Sequence, residues 1–539
     1  MSRQLIRPSG SELVDTIGNA MLDSPGHLVV MDAESGQWVH HPWPSIFELG
    51  TRMAGRLEDS GASNVVGVVG EVTAELIASI YGCWAAGRSV SILPGPVRGS
   101  APDQWAAVTV RRLRTLDCDT LLSHGSTLEL LRDRSEGMSL YDLQSLPGWS
   151  TAPDSIGHRI PVGAPAVMQG TAGSTGDPKT AVLSHEAVLN HFRGLSDRVG
   201  GSRDDVLCSW LPLYHDMGLM SVVCGMAMGI TMWLAPTSAF ARAPFEWIRW
   251  LDLSSATLTA APNFAYNLIG KYSRRLSAVD LSALQYAING GEPVDADGLA
   301  QFASALAPFG LDANALAPSY GLAEATCAVT ASARGVGLRI DDVLQKRPAS
   351  DPVRHRHALL GQPLDGVEIR IVAGERDLPE LAGRDVGLVE IRGRSMMSGY
   401  LHDTVVVTAD QWWPTGDVGY LIDGELVVCG RVKEVITVAG RNVFPHHIER
   451  VTALVPGVRA GAVVATMTER RSTDARPDRL VIVAEFSGKN APGTEDRIVA
   501  TVASECGVVP TRVVLVSPGT LPRTTSGKLK RLEVGAQQW

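Results

Sequence analysis

The run MQGTAGSTGDPKTAVLSH, residues 168–185, constrains this chain more than any other stretch. From 170 to 178 every residue is Gly, Ala, Ser, Thr, Asp or Pro, and Lys179 and a short apolar segment follow. Small and hydroxylated residues let a backbone close around an anion and aim several N–H groups at it. Thr171, Gly173, Ser174, Thr175 and Gly176 supply that grip, and Lys179 adds a mobile positive charge. Ser184 is placed to cap a following helix. The run is not a Walker A loop. Counting on from Gly173 puts Pro178 where the second Gly of G-x-x-x-x-G-K-[ST] belongs. Nor does it match G-x-G-x-x-G. Taken alone, it is equally consistent with an ordinary surface loop.

Composition narrows the context. A chain of 539 residues exceeds one ordinary core, so two or more domains are expected. With 45% hydrophobic and 19% charged residues it reads as a soluble, mixed α/β protein. A net charge of −9 argues against a general nucleic-acid binder. The seven Cys are odd in number and show no C-x-x-C spacing, which suits reduced thiols in a cytosolic protein. The N-terminal run MSRQLIRPSGSEL lacks the apolar core of a signal peptide, so a cytoplasmic location is expected. Residues 219–236, LMSVVCGMAMGITMWLAP, approach the length of a membrane span. Gly225 and Gly229 interrupt them, and a buried helix running into a buried strand is the expectation.

Apolar β-branched runs at 65–69, 166–168, 257–260 and 287–289 alternate with helical spacing at 75–86 and 186–199. This is the βαβ rhythm of parallel sheets, which bind ligands at the carboxyl ends of their strands. From 367 onward VEIRIV, GLVEIRG, GYLID and GELVVCG read as short strands of a small antiparallel sheet or barrel. After Arg431 the pattern becomes that of a separate compact unit. Its strands are expected at 434–438, 461–465, 480–486 and 512–516, and its helices near 447–454 and 495–506.

Further stretches carry candidate chemistry. SWLPLYHDMGL, 209–219, sets His215 and Asp216 at the mouth of an apolar element. That arrangement suits a carboxylate with a buried tail, although a His at a helix start is the simpler reading. AINGGEP, 287–293, ends a strand in Asn289, Gly290, Gly291 and Glu292; paired glycines let a flat ring approach the backbone, or simply make a turn. PSYGLAEAT, 318–326, holds Ser319, Tyr320, Gly321 and Glu324. Tyr320 can stack on a base. Glu324 can hold Mg²⁺ near phosphates, or favour a helix N-terminus. Asp417, after a Thr-Gly turn, suits ribose hydroxyls, and Arg431 suits ribose or the α-phosphate. LPRTTSGKLKR, 521–531, presents Lys528 after Gly527, or forms a solvated basic tail.

In this order and spacing these stretches resemble the adenylate-forming superfamily of acyl-CoA synthetases, adenylation domains and luciferases, from 165 to 531. YHDMGL and SYGLAEAT are similar to its fatty acyl-AMP ligase branch. HPWP, SILPGPVRG, GTAGSTG, TAAPNFAYNLIGKY and ASECGVVP are similar to the fatty acid–acyl-carrier-protein ligases of siderophore synthesis.

The resemblance implies an α/β protein. A large N-terminal domain, 1–431, has βαβ-type sheets and a small β-barrel-like part. A hinge at 432–433 leads to a small mobile α+β C-terminal domain, 434–539. It also implies ATP, Mg²⁺, a long-chain fatty acid and a phosphopantetheinylated acyl carrier protein, with free CoA as the alternative acceptor.

In the roles so implied, the run 171–175 and Lys179 hold the leaving phosphates and Glu324 the Mg²⁺. Lys528 lies between carboxylate and α-phosphate. Asn289, Gly290, Gly291, Glu292, Ser319, Tyr320 and Gly321 line the adenine site, and Asp417 and Arg431 the ribose. His215 attends the carboxylate, and Lys433 is the hinge. Residues 332–358, rich in Arg, Asp and His, are compared with a segment that blocks CoA use in some members. Arg523, Lys530 and Arg531, with Arg441, are expected to dock the acidic carrier. Ala172, Thr180 and Ala323 depart from the usual pattern.

Overall fold

The βαβ alternation forms two large sheets in a computed structural model that describes residues 9–96, 101–150, 160–171, 179–345, 353–374, 378, 380–438, 441–468, 479–488, 492–523 and 529–537. In one, a parallel core of Pro165–Gly170, Ser89–Leu93, Val65–Val69, Thr120–Ser123 and Ser139–Asp142 is extended by antiparallel Thr180–Ser184 and Gly399–Tyr400. In the other, six neighbouring parallel strands run from Leu316–Gly321 through Tyr286–Asn289, Leu258–Ala261, Val206–Ser209 and Thr231–Leu234 to His27–Met31. Antiparallel strands close both of its edges. Every residue of Val65–Val69 is buried, as expected for a strand covered on both faces.

The two sheets share one core. Val66, Val90 and Val167 of the first and Leu28, Leu207 and Met232 of the second belong to a single buried cluster. Helices Glu12–Asp23, Trp43–Asp59, Ala74–Ala85, His185–Val199 and Asp216–Met228 contribute to it. Helix His185–Val199 starts where its cap was read: the Ser184 hydroxyl accepts from Ala187 N at 3.1 Å. The apolar run 219–236 is a helix that stops at left-handed Gly229 and a strand, Thr231–Leu234. Among the described residues no helix is long and apolar enough to cross a membrane.

Of the sheet-or-barrel alternatives, the later strands take the sheet. Val367–Val372, Gly387–Gly393, Trp413–Ile422 and Glu425–Arg431 pair antiparallel in that order. Beyond it, Val458–Thr468, Arg479–Phe486 and Arg512–Val516 form a three-stranded sheet. With helices Pro445–Ala453 and Thr494–Cys506 it encloses a separate core of Ile448, Val463, Ile482, Ile498 and Val502. The strand expected at 434–438 opens as a 3-10 turn, Val432–Glu434, and begins only at Ile436.

Helices Trp43–Asp59 and Ala74–Ala85 cross at Gly50 and Gly82. A Cβ on Gly82 would lie 2.5 Å from Gly50 O and 2.7 Å from Met53 Cβ. Alanine favours a helix interior over glycine by about 1 kcal/mol. Overpacking a tight core contact costs about 1–3 kcal/mol. Gly82→Ala should therefore lower the melting temperature despite its better helix propensity. Thermal unfolding checks this; a rise would show that the crossing has slack.

Candidate active site

The ends of the parallel strands bring the scattered stretches together. Strand Pro165–Gly170 leads into the glycine-rich run, and Thr180–Ser184 returns from it. At the neck of this hairpin Thr171 closes on Lys179: its N–H donates to Lys179 O at 2.8 Å, and its hydroxyl to the same oxygen at 3.2 Å. Gly173, Ser174, Thr175 and Gly176 lie outside the described residues, as does Lys528. The Lys179 ammonium stands 4.5 Å from the centre of the Tyr400 ring and 4.0 Å from the Asp403 carboxylate. Tyr400 reaches it because Gly399–Tyr400 pairs with Thr180–Ser184.

The Tyr400 hydroxyl donates to Glu324 Oε1 at 2.6 Å. Burial and then the Glu324 charge push this phenol's pKa up, so it stays a donor. Glu324 sits in the 3-10 turn Ala323–Ala325, beyond strand Leu316–Gly321. The next residue but one, Thr326, has φ +69, a rare conformation for a β-branched residue. Its hydroxyl donates to Ser395 O at 2.7 Å and Met397 N to Glu324 O at 2.8 Å. These contacts hold the strained turn in place.

Tyr320 joins two sheets. Its hydroxyl donates to Asp417 Oδ2 at 2.6 Å, and Arg431 Nε donates to Asp417 Oδ1 at 3.1 Å. Asp417 and Arg431 are cross-strand partners. Asp417 is only 5% exposed. Burial pushes its carboxyl pKa up; the Arg431 charge and the Tyr320 hydrogen bond oppose this without cancelling it. Each carboxylate oxygen keeps a lone pair for a further donor.

Asn289 ends the strand beside Tyr320, since Asn289 pairs with Pro318. Its amide donates to Ala261 O at 3.3 Å, while its buried Oδ1 has no partner among the described residues. Gly290 packs against Ser319 O, and Gly291 has φ +81 with the Met217 methyl 4.0 Å from its would-be Cβ. A Cβ on Gly321 would overlap Cys327 O. At Gly321 the backbone packs too closely on its neighbours for a side chain, and at Gly290 it leaves little room for one. Glu292 interacts electrostatically with Arg523 and Arg531.

His215 is the N-cap residue of helix Asp216–Met228, half-buried, with the Tyr214 ring 4.7 Å away. Gln169 Nε2 donates to Tyr214 O at 3.0 Å and ties this turn to the glycine-rich hairpin. Ser319 is turned the other way: its hydroxyl donates to Thr330 O at 2.8 Å. Lys433 is exposed in the Val432–Glu434 turn, apart from these groups.

The basic docking patch expected near the C-terminus does not form as read. Arg531 is bound by both oxygens of Glu449, at 2.8 and 2.7 Å, and by Glu434 at 3.3 Å. Arg523 donates to Gly461 O at 2.6 Å, and Lys530 pairs with Glu533. The Arg441 side chain lies outside the described residues. For Arg531 the carboxylates come from 82 and 97 positions away, so nothing in the local sequence points to them. Tyr400 and Asp403 were missed because only the pairing of Gly399–Tyr400 with Thr180–Ser184 brings them to the site.

The donor set suits a polyphosphate and one divalent ion. Among the described residues no three His, Cys, Asp or Glu converge as a metal cage. Mg²⁺ asks for less, since one or two carboxylates plus phosphates hold it. Glu324 offers such a carboxylate beside Lys179 and Tyr400.

Known proteins are similar to this chain in sequence and fold. Residues 23–401 match the family model described as AMP-binding enzyme. A Mycobacterium tuberculosis protein named as a ligase is 34% identical over 521 residues, covering 92% of this chain and 94% of its own. A medium-chain-fatty-acid–[acyl-carrier-protein] ligase of Moorena producens is 30% identical over 413 residues, 69% of each chain. A solved structure from a study of fatty acyl-adenylate ligases of E. coli and L. pneumophila superposes with a TM-score of 0.87 at 27% identity, covering 97% of both chains. The chain thus belongs to the AMP-binding enzyme family, with the large multi-sheet N-terminal and smaller C-terminal domains of the adenylate-forming fold.

Proposed function

We propose that this protein is a fatty acyl-AMP ligase that activates a long-chain fatty acid with ATP and passes the acyl group to the phosphopantetheine thiol of an acyl carrier protein. The observation that carries the reading is the linkage of Lys179 to Glu324 through Tyr400 beside the glycine-rich hairpin, and of Tyr320 to Asp417, with Asn289 ending the neighbouring strand. A carboxylate oxygen attacks the α-phosphorus, and pyrophosphate leaves. The run 171–176 and Lys179 hold the phosphates. Asn289, the flat backbone of Gly290, Gly291 and Gly321, and Tyr320 take the adenine, and Asp417 with Arg431 the ribose. Glu324 would hold Mg²⁺, which neutralises phosphate charge when bound. His215, at the mouth of an apolar helix, faces the carboxylate.

Lys528 supplies the charge between carboxylate and α-phosphate. Lys433, in the exposed turn between the two domains, is the pivot that exchanges half-reactions. The named relative from Moorena producens supports a carrier protein as acceptor. So does the ribbon Ile340–Gln345 with Val353–Ala358, which braces the C-terminal domain. His355 on this ribbon lies 4.4 Å from His447, ring centre to ring centre, and Arg356 pairs with Asp297, which also binds Arg450. We take this brace as favouring a carrier protein over free CoA. A place in siderophore lipidation is the pathway we favour, within a cytoplasmic setting.

The direct test supplies ATP, a fatty-acid panel and either CoA or a phosphopantetheinylated carrier. Carrier loading with little acyl-CoA is expected. Efficient acyl-CoA formation with no loaded carrier would replace this acceptor with CoA.

Lys528→Ala should leave the fold intact and cut acyl-AMP formation by about 10²–10³, the usual cost of one preorganised contact to developing charge. Pyrophosphate release at saturating ATP measures it, and wild-type rates would remove Lys528 from the mechanism.

Asp417 must be ionised to accept from ribose, and Arg431 opposes the upward push of burial on its pKa. Arg431→Gln removes that positive charge, so the carboxyl should protonate at higher pH. The acid limb of the kcat/KM profile for ATP should then move up. An unmoved limb would mean that Arg431 does not keep Asp417 charged.

A further inference from the structure

Arg112 lies at the base of the glycine-rich hairpin, and among the described residues no carboxylate pairs with it. It belongs to helix Pro102–Thr115, whose Ala106, Val110 and Leu113 pack with Met168 on the seven-stranded sheet. A Cβ built on Gly170 would overlap the Arg112 Nη2 and lie 3.3 Å from its Cζ. Gly170 does not have a positive φ, so its backbone does not demand glycine. The arginine occupies the space a side chain would need.

Gly170 pairs with Thr180, directly beside Lys179. The same helix end meets the 401–403 segment, where His402 Nε2 bonds Thr115 O at 2.8 Å and Asp403 faces Lys179. Arg112 and Lys179 therefore flank the hairpin at the neck where Thr171 closes on Lys179.

The charge on Arg112 needs a partner. The guanidinium is half-buried, and burial pushes its pKa down. Among the described residues, Lys179 faces Asp403, Arg431 binds Asp417 and Arg531 binds Glu449. Arginine does not give up its proton in proteins. A partly desolvated charge is costly until an anion offsets it. The planar fork of a guanidinium matches phosphate oxygens two at a time, which a lysine ammonium cannot do.

We propose that Arg112 binds the polyphosphate of ATP and remains on the pyrophosphate as it leaves. This rests on the nucleotide-activating reading above and adds to it a phosphate contact from outside the glycine-rich run. Helix Pro102–Thr115 thereby takes part in the site as well as in the core.

The test uses the full chain, with Mg·ATP and inorganic pyrophosphate as probes in calorimetry and in steady-state kinetics. Arg112→Gln should raise the KM for ATP and the pyrophosphate inhibition constant by at least about tenfold, as for loss of a hydrogen bond to a charged group. The KM for fatty acid and the melting temperature should stay near wild type. Arg112→Lys keeps the charge without the fork and should fall between. Gly170→Ala keeps the Arg112 charge, pushes the guanidinium aside and should shift the same two constants in the same direction.

Should Arg112→Gln fold poorly, the Lys and Gly170 variants decide the matter. Unchanged ATP and pyrophosphate affinities, with or without a lower melting temperature, would make Arg112 a purely structural residue and overturn the inference. A wild-type enzyme that releases no pyrophosphate with any fatty acid would instead overturn the reading on which it rests.

Discussion

The Asp417 carboxylate is buried, and the contacts around it oppose the push of burial on its charge. Two hydrogen bonds from different sheets meet on it. Arg431 comes from the neighbouring strand of the antiparallel sheet, and Tyr320 from the edge of the parallel core of the nine-stranded sheet. Removing either would leave a buried acceptor under-satisfied, which costs more than the bond itself contributes. The same two bonds join the sheets. The geometry that would hold a ribose is therefore also the geometry that holds the two layers in register.

A second junction repeats the principle with other groups. Glu324 is held by Tyr400, whose ring faces Lys179. Tyr400 belongs to the seven-stranded sheet, and Glu324 to the turn after a strand of the nine-stranded one. The strained backbone at Thr326 persists because Ser395 and Met397 pin both sides of that turn. Three sheets thus contribute: Asp417 from within strand Trp413–Ile422, Tyr400 from the short strand Gly399–Tyr400, and Tyr320 with Glu324 from the carboxyl end of the parallel strand Leu316–Gly321. This is where open α/β sheets leave backbone and side chains unpaired for ligands.

The C-terminal domain is seated by ion pairs as well as apolar contact. Asp297, at the start of helix Ala296–Leu306, receives Arg450 from the small domain and Arg356 from the ribbon. Arg531 is bound by Glu434 and Glu449 within the small domain itself. Its charge stabilises the path of the tail rather than a partner surface. Interfaces of this polar kind between domains permit relative motion more readily than large apolar ones.

Much of this protein was legible in its sequence, because local patterns carry it. The β-branched run at 65–69 and the Ser184 cap are near-neighbour matters of periodicity and hydrogen bonding. So is the helix-to-strand break at Gly229. The candidates Glu324, Tyr320, Asp417 and Asn289 could be named because turn residues surround each of them. Their partners could not. That Tyr320 would meet Asp417, 97 positions away, and Glu324 would meet Tyr400, 76 positions away, depends on strand order, which long-range packing alone sets. The basic residues near 531 read as a surface patch in sequence, but Glu434 and Glu449 claim Arg531 in the fold. Arg112 reads as one charge on an amphipathic helix until Gly170 is found beneath it. The sequence by itself determined which residue types and local elements exist. Tertiary structure decided which charges are matched and which remain open, because electrostatic partnership depends on distance in space and not along the chain.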